Sequence, residues 1–261
     1  MTVAEFRDRL ADGPVILLPL GSQEEQGPHT PMGDYLLAEA VALRTAELSG
    51  AIAAPCLPFG YADFFRGFPG GMQLRGPTFR AVLTDMVDSF LDHGLTRIVI
   101  LNGHSTNAAL IDEVLRDTRR HRGAAVCSID LWRAIPDALW RDHHGENSGR
   151  ARGHGGDPIT SMALYLRADQ MRMDLAVAAN GAQAMGLPAT GTRGVRFDGV
   201  DIALPLDAHE LAPNGMLGGD PALASAEFGC AVFDHLSNHC ARFVEHLRRS
   251  DPCDLKAGPA A

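Results

Sequence analysis

Apolar positions along this chain follow two rhythms. Short unbroken runs at residues 15–20 (VILLPL), 97–101 (RIVIL) and 124–129 (AAVCSI) are too short for an ordinary helix. The first is bounded by Gly13-Pro14 and Gly21, and all three read as buried strands. Between the runs, apolar residues recur every three to four positions. Residues 78–93 place Phe79, Val82, Leu83, Met86, Val87, Phe90 and Leu91 on one helical face, and Gly94 ends the pattern. Further helices are predicted from Asp34 to about residue 48, from Asn107 onward with Leu110, Ile111, Val114 and Leu115 apolar, over 160–166, and over the Ala-rich stretch 221–248. Strands separated by helices of this length predict right-handed crossovers and an α/β fold, with a mainly parallel sheet covered on both faces. Residues 190–219 are Gly-rich with little periodicity and read as loops or a hairpin near the site. No internal repeat or low-complexity linker divides the chain. One catalytic domain is expected over residues 1–250, with a flexible tail over 251–261.

Composition narrows the partners. The formal net charge is -9 and no Lys/Arg-rich block occurs, which argues against a nucleic acid or an anionic membrane surface as partner. No apolar run reaches the ~18 residues of a transmembrane helix. Charged residues from Glu5 to Asp12 precede the first apolar run, unlike the order of a secretory signal. The five cysteines are odd in number and scattered, with no CxxC pair. Reduced thiols in a cytoplasmic protein are expected, rather than a disulfide scaffold or a Cys-rich zinc site.

Candidate chemistry sits in three loops. In a parallel sheet, ligands bind beyond the carboxyl ends of the strands. Residues 21–34 (GSQEEQGPHTPMGD) follow the first strand and carry Glu24, Glu25, Gln26, His29 and Asp34; residues 102–107 (NGHSTN) follow the second and carry His104. Taken singly, the first loop reads equally well as a solvated acidic loop with Asp34 as a helix cap, and His104 as a structural histidine. Two such loops at one sheet edge favour a site for a hard or borderline metal ion. Residues 152–161 (RGHGGDPITS) set Arg152, His154 and Asp157 among glycines. This is either a turn leading into a helix capped by Asp157, or a loop with a general acid/base or a further ligand. The pair His143-His144 reads as a polar loop.

At this point the motifs form a recognisable series. PLGSQEEQGPHTPMGD, FGYADFFRGFPGGMQL, LNGHSTN, HGGDPITS and NGMLGGDPALASAEFG resemble, in order, the signatures of the creatininase (creatinine amidohydrolase) family, over residues 15 to about 230. The resemblance implies a three-layer α/β/α sandwich and a homo-oligomer, often a hexamer. It implies hydrolysis of a cyclic amide or related bond of a small polar substrate, with zinc, manganese or iron. Carried over position by position, Glu24, Asp34 and His104 correspond to the ligands of the first metal. The second metal's positions fall on Gln26 and Thr106, which are poor ligands for zinc or manganese. The step before Asp34 is also one residue shorter than the family pattern.

The expectation is therefore one divalent ion per subunit rather than two, zinc first and manganese or iron as alternatives, activating a water to open a C–N bond. A second ion would need recruited ligands, with His29, Glu25 and Asp157 as candidates. His154 corresponds to a family residue at the active site and is expected to move protons; Asp157 takes the place of a Glu beside it, and a second Glu is Ile159 here. Phe65, Arg66 and Thr106 are expected at the substrate pocket, Arg66 holding a carboxylate or else forming a surface salt bridge. Two other readings stand beside this one. One is ring opening of a cyclic polyol ketone or lactone, as in a dehydro-inosose hydrolase. The other, prompted by Gln26 and Thr106, is a catalytically silent relative acting in binding or assembly.

Overall fold

The computed structural model describes residues 1–256; the last part of the expected tail, 257–261, lies outside the described residues. Helices are α1 (Val3–Leu10), α2 (Tyr35–Ser49), α3 (Gly76–Leu91), α4 (Ala108–Arg122), α5 (Asp137–His144), α6 (Ser148–Ala151), α7 (Ile159–Leu166), α8 (Ala208–Leu211) and α9 (Ala226–Arg248). Strands are β1 (Ile16–Leu20), β2 (Ile52–Ala53), β3 (Ile98–Asn102), β4 (Cys127–Asp130), β5 (Gln183–Ala184), β6 (Leu187–Pro188), β7 (Gly194–Phe197) and β8 (Val200–Ala203).

Strands β1 to β4 form one parallel sheet in the order β2-β1-β3-β4. The two central strands are buried along their whole length, as unbroken apolar runs in a parallel sheet should be. Alternate side chains serve opposite faces. Leu17, Val99 and Leu101 pack with α2, α7 and α9, whose inward residues include Val41, Met162, Phe228, Val232 and Leu236. Ile16, Leu18, Ile98 and Ile100 pack with Phe79, Leu83 and Val87 of α3 and with Ile111 and Val114 of α4. Each such fully buried aliphatic side chain contributes about 1.5–3 kcal/mol. The result is the three-layer α/β/α sandwich anticipated above.

Register places the site. Leu20 pairs with Asn102 and Asn102 with Asp130, so β1, β3 and β4 end on one line. Residues 21–34 and 103–107 consequently leave the sheet side by side.

Several elements differ from the sequence reading. The charged N-terminal stretch is helix α1, held by a capping box between Thr2 and Glu5. Residues 143–144 are not a loop: they are the last two residues of α5, which buries Trp140. The Gly-rich segment, by contrast, contains a small hairpin, β7–β8, in line with the reading of loops or a hairpin. Within the tail, Pro252 is buried and its carbonyl accepts the N–H of Ala125, 3.2 Å away, beside the start of β4.

Candidate metal centre

Glu24 and Asp34 come from the loop after β1, and His104 from the loop after β3. Their ligand atoms lie within 4.8 Å of one another, the one such convergence of three His, Cys, Asp or Glu side chains among the described residues. All three are buried. His104 Nδ1 stands 2.8 Å from Asp34 Oδ2 and 3.2 Å from Glu24 Oε2. The outer oxygens are held by the loop itself. Ser22 donates its backbone N–H to Asp34 Oδ1 (2.6 Å) and its hydroxyl to Glu24 Oε2 (2.7 Å). Gln26 Nε2 donates to Glu24 Oε1 (3.0 Å). Asp34 occupies the N-cap position of α2, yet its side chain makes no capping bond: the carboxylate turns back to Ser22 and His104. Gly103 is required at the turn, because a Cβ there would press into the Cβ of Ala38, 2.7 Å away, and separate the loop from α2.

Two buried carboxylates beside one imidazole form a strained set of charges. Burial pushes the Asp34 carboxyl up to about 6, with the Glu24 charge adding to it. Burial alone would lower His104, but Glu24 and Asp34 hold it well above the usual histidine range. Burial likewise opposes the Glu24 charge, and His104 outweighs it, leaving Glu24 below its ordinary value. Without a cation the triad thus depends on a proton held by His104. Two carboxylate oxygens and an imidazole nitrogen are ordinary ligands of zinc or manganese, and a divalent ion would replace that proton while neutralising both carboxylates. The residues present therefore fit such an ion.

The rest of the loop divides into two groups. Glu25 faces away from the triad: its Oε1 is 2.8 Å from His154 Nε2, and its Oε2 accepts the N–H of Gly27 (2.8 Å). The His154 ring stacks on Phe65, with centroids 4.5 Å apart, and its Nδ1 lies 3.9 Å from Glu24 Oε1. Burial lowers His154, but the bond to Glu25 outweighs it and raises the imidazole above its usual range. Gly215 closes this arrangement, since its φ of +80° and its contact with the Glu25 carboxylate leave no room for a side chain. His29, the other recruited-ligand candidate, points elsewhere. Its Nε2 is 3.1 Å from Thr160 Oγ1, and burial lowers its basicity.

Asp157 lies in the lining of the same site and is held by two neighbours. Its Oδ1 accepts the N–H of Ser161 (2.9 Å) in the first turn of α7, whose N-cap position is Pro158 rather than the expected Asp157, and its Oδ2 lies 3.1 Å from the buried Nε2 of His144. The sequence reading missed His144. Its signal was the spacing from Trp140, four residues earlier on one face of α5, and the two rings lie 5.8 Å apart.

A cavity of about 980 Å³ opens over the triad. Phe65, His154, Thr106 and Asp157 line it, together with Trp132 and Trp140, which sequence reasoning did not single out. Trp132 is pinned to the site by an Nε1–H donated to the Gly103 carbonyl. Arg66 is not part of the lining: it turns to Asp63 in an exposed ion pair within the same turn, which corrects the expectation of a pocket arginine. A local partner three residues away captures it first. Arg152 does line the cavity, stacked 4.3 Å over Trp140 and paired with Asp137 Oδ1 at 2.6 Å.

Known proteins share this fold and sequence pattern. The creatinine amidohydrolase family model matches residues 1–244. Creatinine amidohydrolase of Pseudomonas putida is 33% identical over 192 residues, 68% of this chain and 74% of that protein. A mycofactocin precursor peptide peptidase of Mycolicibacterium smegmatis is 29% identical over 249 residues, covering 92% of this chain and 86% of its own. The crystal structure of a creatininase superposes with a TM-score of 0.79 at 27% identity, over 96% of this chain and 97% of that one. Similar structures include a Zn-Zn form of a creatininase mutant and a creatininase with Mn, each 28% identical over 94% of this chain and 95% of theirs, with TM-scores of 0.76 and 0.77. With the family model spanning nearly the whole chain, and with its fold shared, this protein belongs to the creatininase family and is a metal-dependent hydrolase.

Proposed function

We propose that the chain opens a C–N bond, of the cyclic amide or amidine type, in a small polar substrate, using one divalent ion held by Glu24, Asp34 and His104. The observation that carries the reading is the convergence of these three buried side chains at the base of a cavity that also presents His154. When bound, the ion supplies Lewis acidity toward a carbonyl oxygen and lowers the pKa of a water. The other roles belong to this chain's residues. His154, oriented by Glu25 and stacked on Phe65, moves a proton to the leaving nitrogen as the C–N bond breaks. Phe65 and Trp132 wall the cavity and shield the reacting carbon from bulk solvent, leaving the activated water as its nucleophile. Gln26 and Thr106 are neutral and already engaged with Glu24 and His104, which supports one ion rather than two; zinc is placed before manganese or iron as the commonest ion for such a mixed carboxylate and imidazole set.

We also propose one catalytic domain over residues 1–250, acting as a homo-oligomer in the cytoplasm. Exposed apolar side chains on the β7–β8 hairpin, Phe197, Val200 and Ile202, support an interface there. All five cysteines are free, in keeping with a reducing compartment. No helix of the described residues is long and apolar enough to cross a membrane.

The test is turnover of metal-loaded protein on a panel of cyclic amides, cyclic ureides, lactones and cyclic polyol ketones. Hydrolysis of a C–N substrate that is lost in both Glu24→Ala and His104→Ala supports the reading. Ring opening confined to lactones or polyol ketones removes the C–N assignment, and activity that persists in both variants removes the site.

A further inference from the structure

Thr106 stands where the family pattern places a charged ligand, yet its hydroxyl has two polar neighbours already. Its Oγ1 lies 2.6 Å from the carbonyl oxygen of Tyr61 and 2.5 Å from His104 Nε2. A carbonyl oxygen only accepts, so the one hydroxyl proton goes to Tyr61. The remaining lone pairs of Oγ1 can only accept, so the proton between Thr106 and His104 sits on the imidazole Nε2. In the neutral ring the other nitrogen, Nδ1, then carries the lone pair. Nδ1 is the atom that faces Asp34 Oδ2 at 2.8 Å and Glu24 Oε2 at 3.2 Å.

We infer that Thr106 is a positioning residue for metal binding, whose hydroxyl fixes His104 in the tautomer that offers Nδ1 to the ion. This rests on the metal-centre reading given under Proposed function and adds to it the reason one imidazole nitrogen is selected. An imidazole ligand commonly donates its second N–H to an oxygen that sets ring and tautomer, and loss of that oxygen weakens binding. Here the oxygen is itself anchored. The backbone of Tyr61 is held at both of its polar groups, its carbonyl by Thr106 and its N–H by Asn107 Oδ1 at 2.8 Å. Asn107 Nδ2 in turn donates to the Gly21 carbonyl (3.2 Å), where the first loop begins. Thr106 thereby links His104 to the segment that continues into Phe64 and Phe65 on the cavity wall. A threonine at this position thus contributes through the ligand beside it rather than as a ligand.

The experiment compares Thr106→Val, which keeps the shape and loses the hydroxyl, with Thr106→Ser, which keeps the hydroxyl. Zinc affinity is read by competition with a chelator, and the protonation of His104 by ¹⁵N NMR of zinc-loaded protein. Thr106→Val should lose about 10–100-fold in zinc affinity, while Thr106→Ser stays within about threefold of the parent. In the parent and in Thr106→Ser, the spectrum should show zinc on Nδ1 and a proton on Nε2. Parent-like affinity in Thr106→Val, or zinc on Nε2 in the parent, overturns the role of Thr106 even if uptake is lost in His104→Ala. Zinc uptake that survives His104→Ala, or no uptake by the parent, overturns the metal-centre reading and this inference with it.

Discussion

The base of the cavity has two unequal halves. On one side Glu24, Asp34 and His104 are buried with an excess of negative charge and converge on one point. On the other, Gln26 and Thr106 are neutral, and each spends a hydrogen bond on a member of the triad. The first half sets two buried carboxylates against one imidazole, a charge balance that a cation would complete. The second keeps the triad in shape. The family resemblance places the second ion of a two-ion site on this half, where Gln26 and Thr106 stand here. Under the single-ion reading proposed above, neutral groups on this half brace the ligands of the first ion.

The largest expected effects come from breaking the charged half. Glu24→Ala or His104→Ala should abolish metal retention and lower kcat/KM by more than about a thousandfold, since an ion that polarises a carbonyl contributes several kcal/mol. Elemental analysis beside steady-state kinetics checks this, and near-parental activity in either variant would remove the triad from the reaction. Next is the proton path. His154→Ala should lower kcat by about 10²–10⁴-fold with the metal retained. Glu25→Gln, which leaves the ring bonded but removes the charge beside it, should cost about tenfold, measured in the same assay.

A gain of function probes the neutral half. The double variant Gln26→His with Thr106→Glu should raise metal content toward a second equivalent per subunit, as the added ligands supply what the site lacks. Unchanged content would mean that more than these two residues separates the halves.

The smallest effect concerns a third carboxylate at the same sheet edge. Asp130, at the end of β4, has two buried oxygens; burial raises its pKa, and the Arg133 charge, 3.6 Å away, with the nearby backbone N–H groups of Arg133 and Trp132, offsets this only in part. A carboxyl whose pKa is raised by folding destabilises the fold once pH passes its unfolded value, with the full effect above its folded value. Asp130→Asn should therefore increase stability by about 1 kcal/mol near pH 8, and the gain should vanish below pH 4. Urea unfolding at the two pH values measures it. An equal gain at both would exclude ionisation as the cause.

Much of this was legible in the sequence because the physics is local. The strand at 16–20 appears as an apolar run between turn residues, and α3 as a three-to-four spacing ended by Gly94. The triad was legible only through order along the chain: two polar loops after two strands, matching a family series. Asp34 shows the limit. An acidic residue just before an apolar helix has the same signature as a cap and as a ligand, and only the register of β1 with β3 brings His104 to it. Arg66 and His144 fail for related reasons. Arg66 was captured by Asp63 three residues away. His144, written next to another histidine, is buried by its place on the Trp140 face of α5 and by Asp157 thirteen residues on.

The most direct test of a single-ion centre is the metal content per subunit, by elemental analysis of protein purified without a metal-affinity tag. The account predicts about one equivalent of zinc or manganese, lost in Glu24→Ala. About two equivalents in the parent protein would contradict it, and would mean that the neutral half binds an ion despite Gln26 and Thr106.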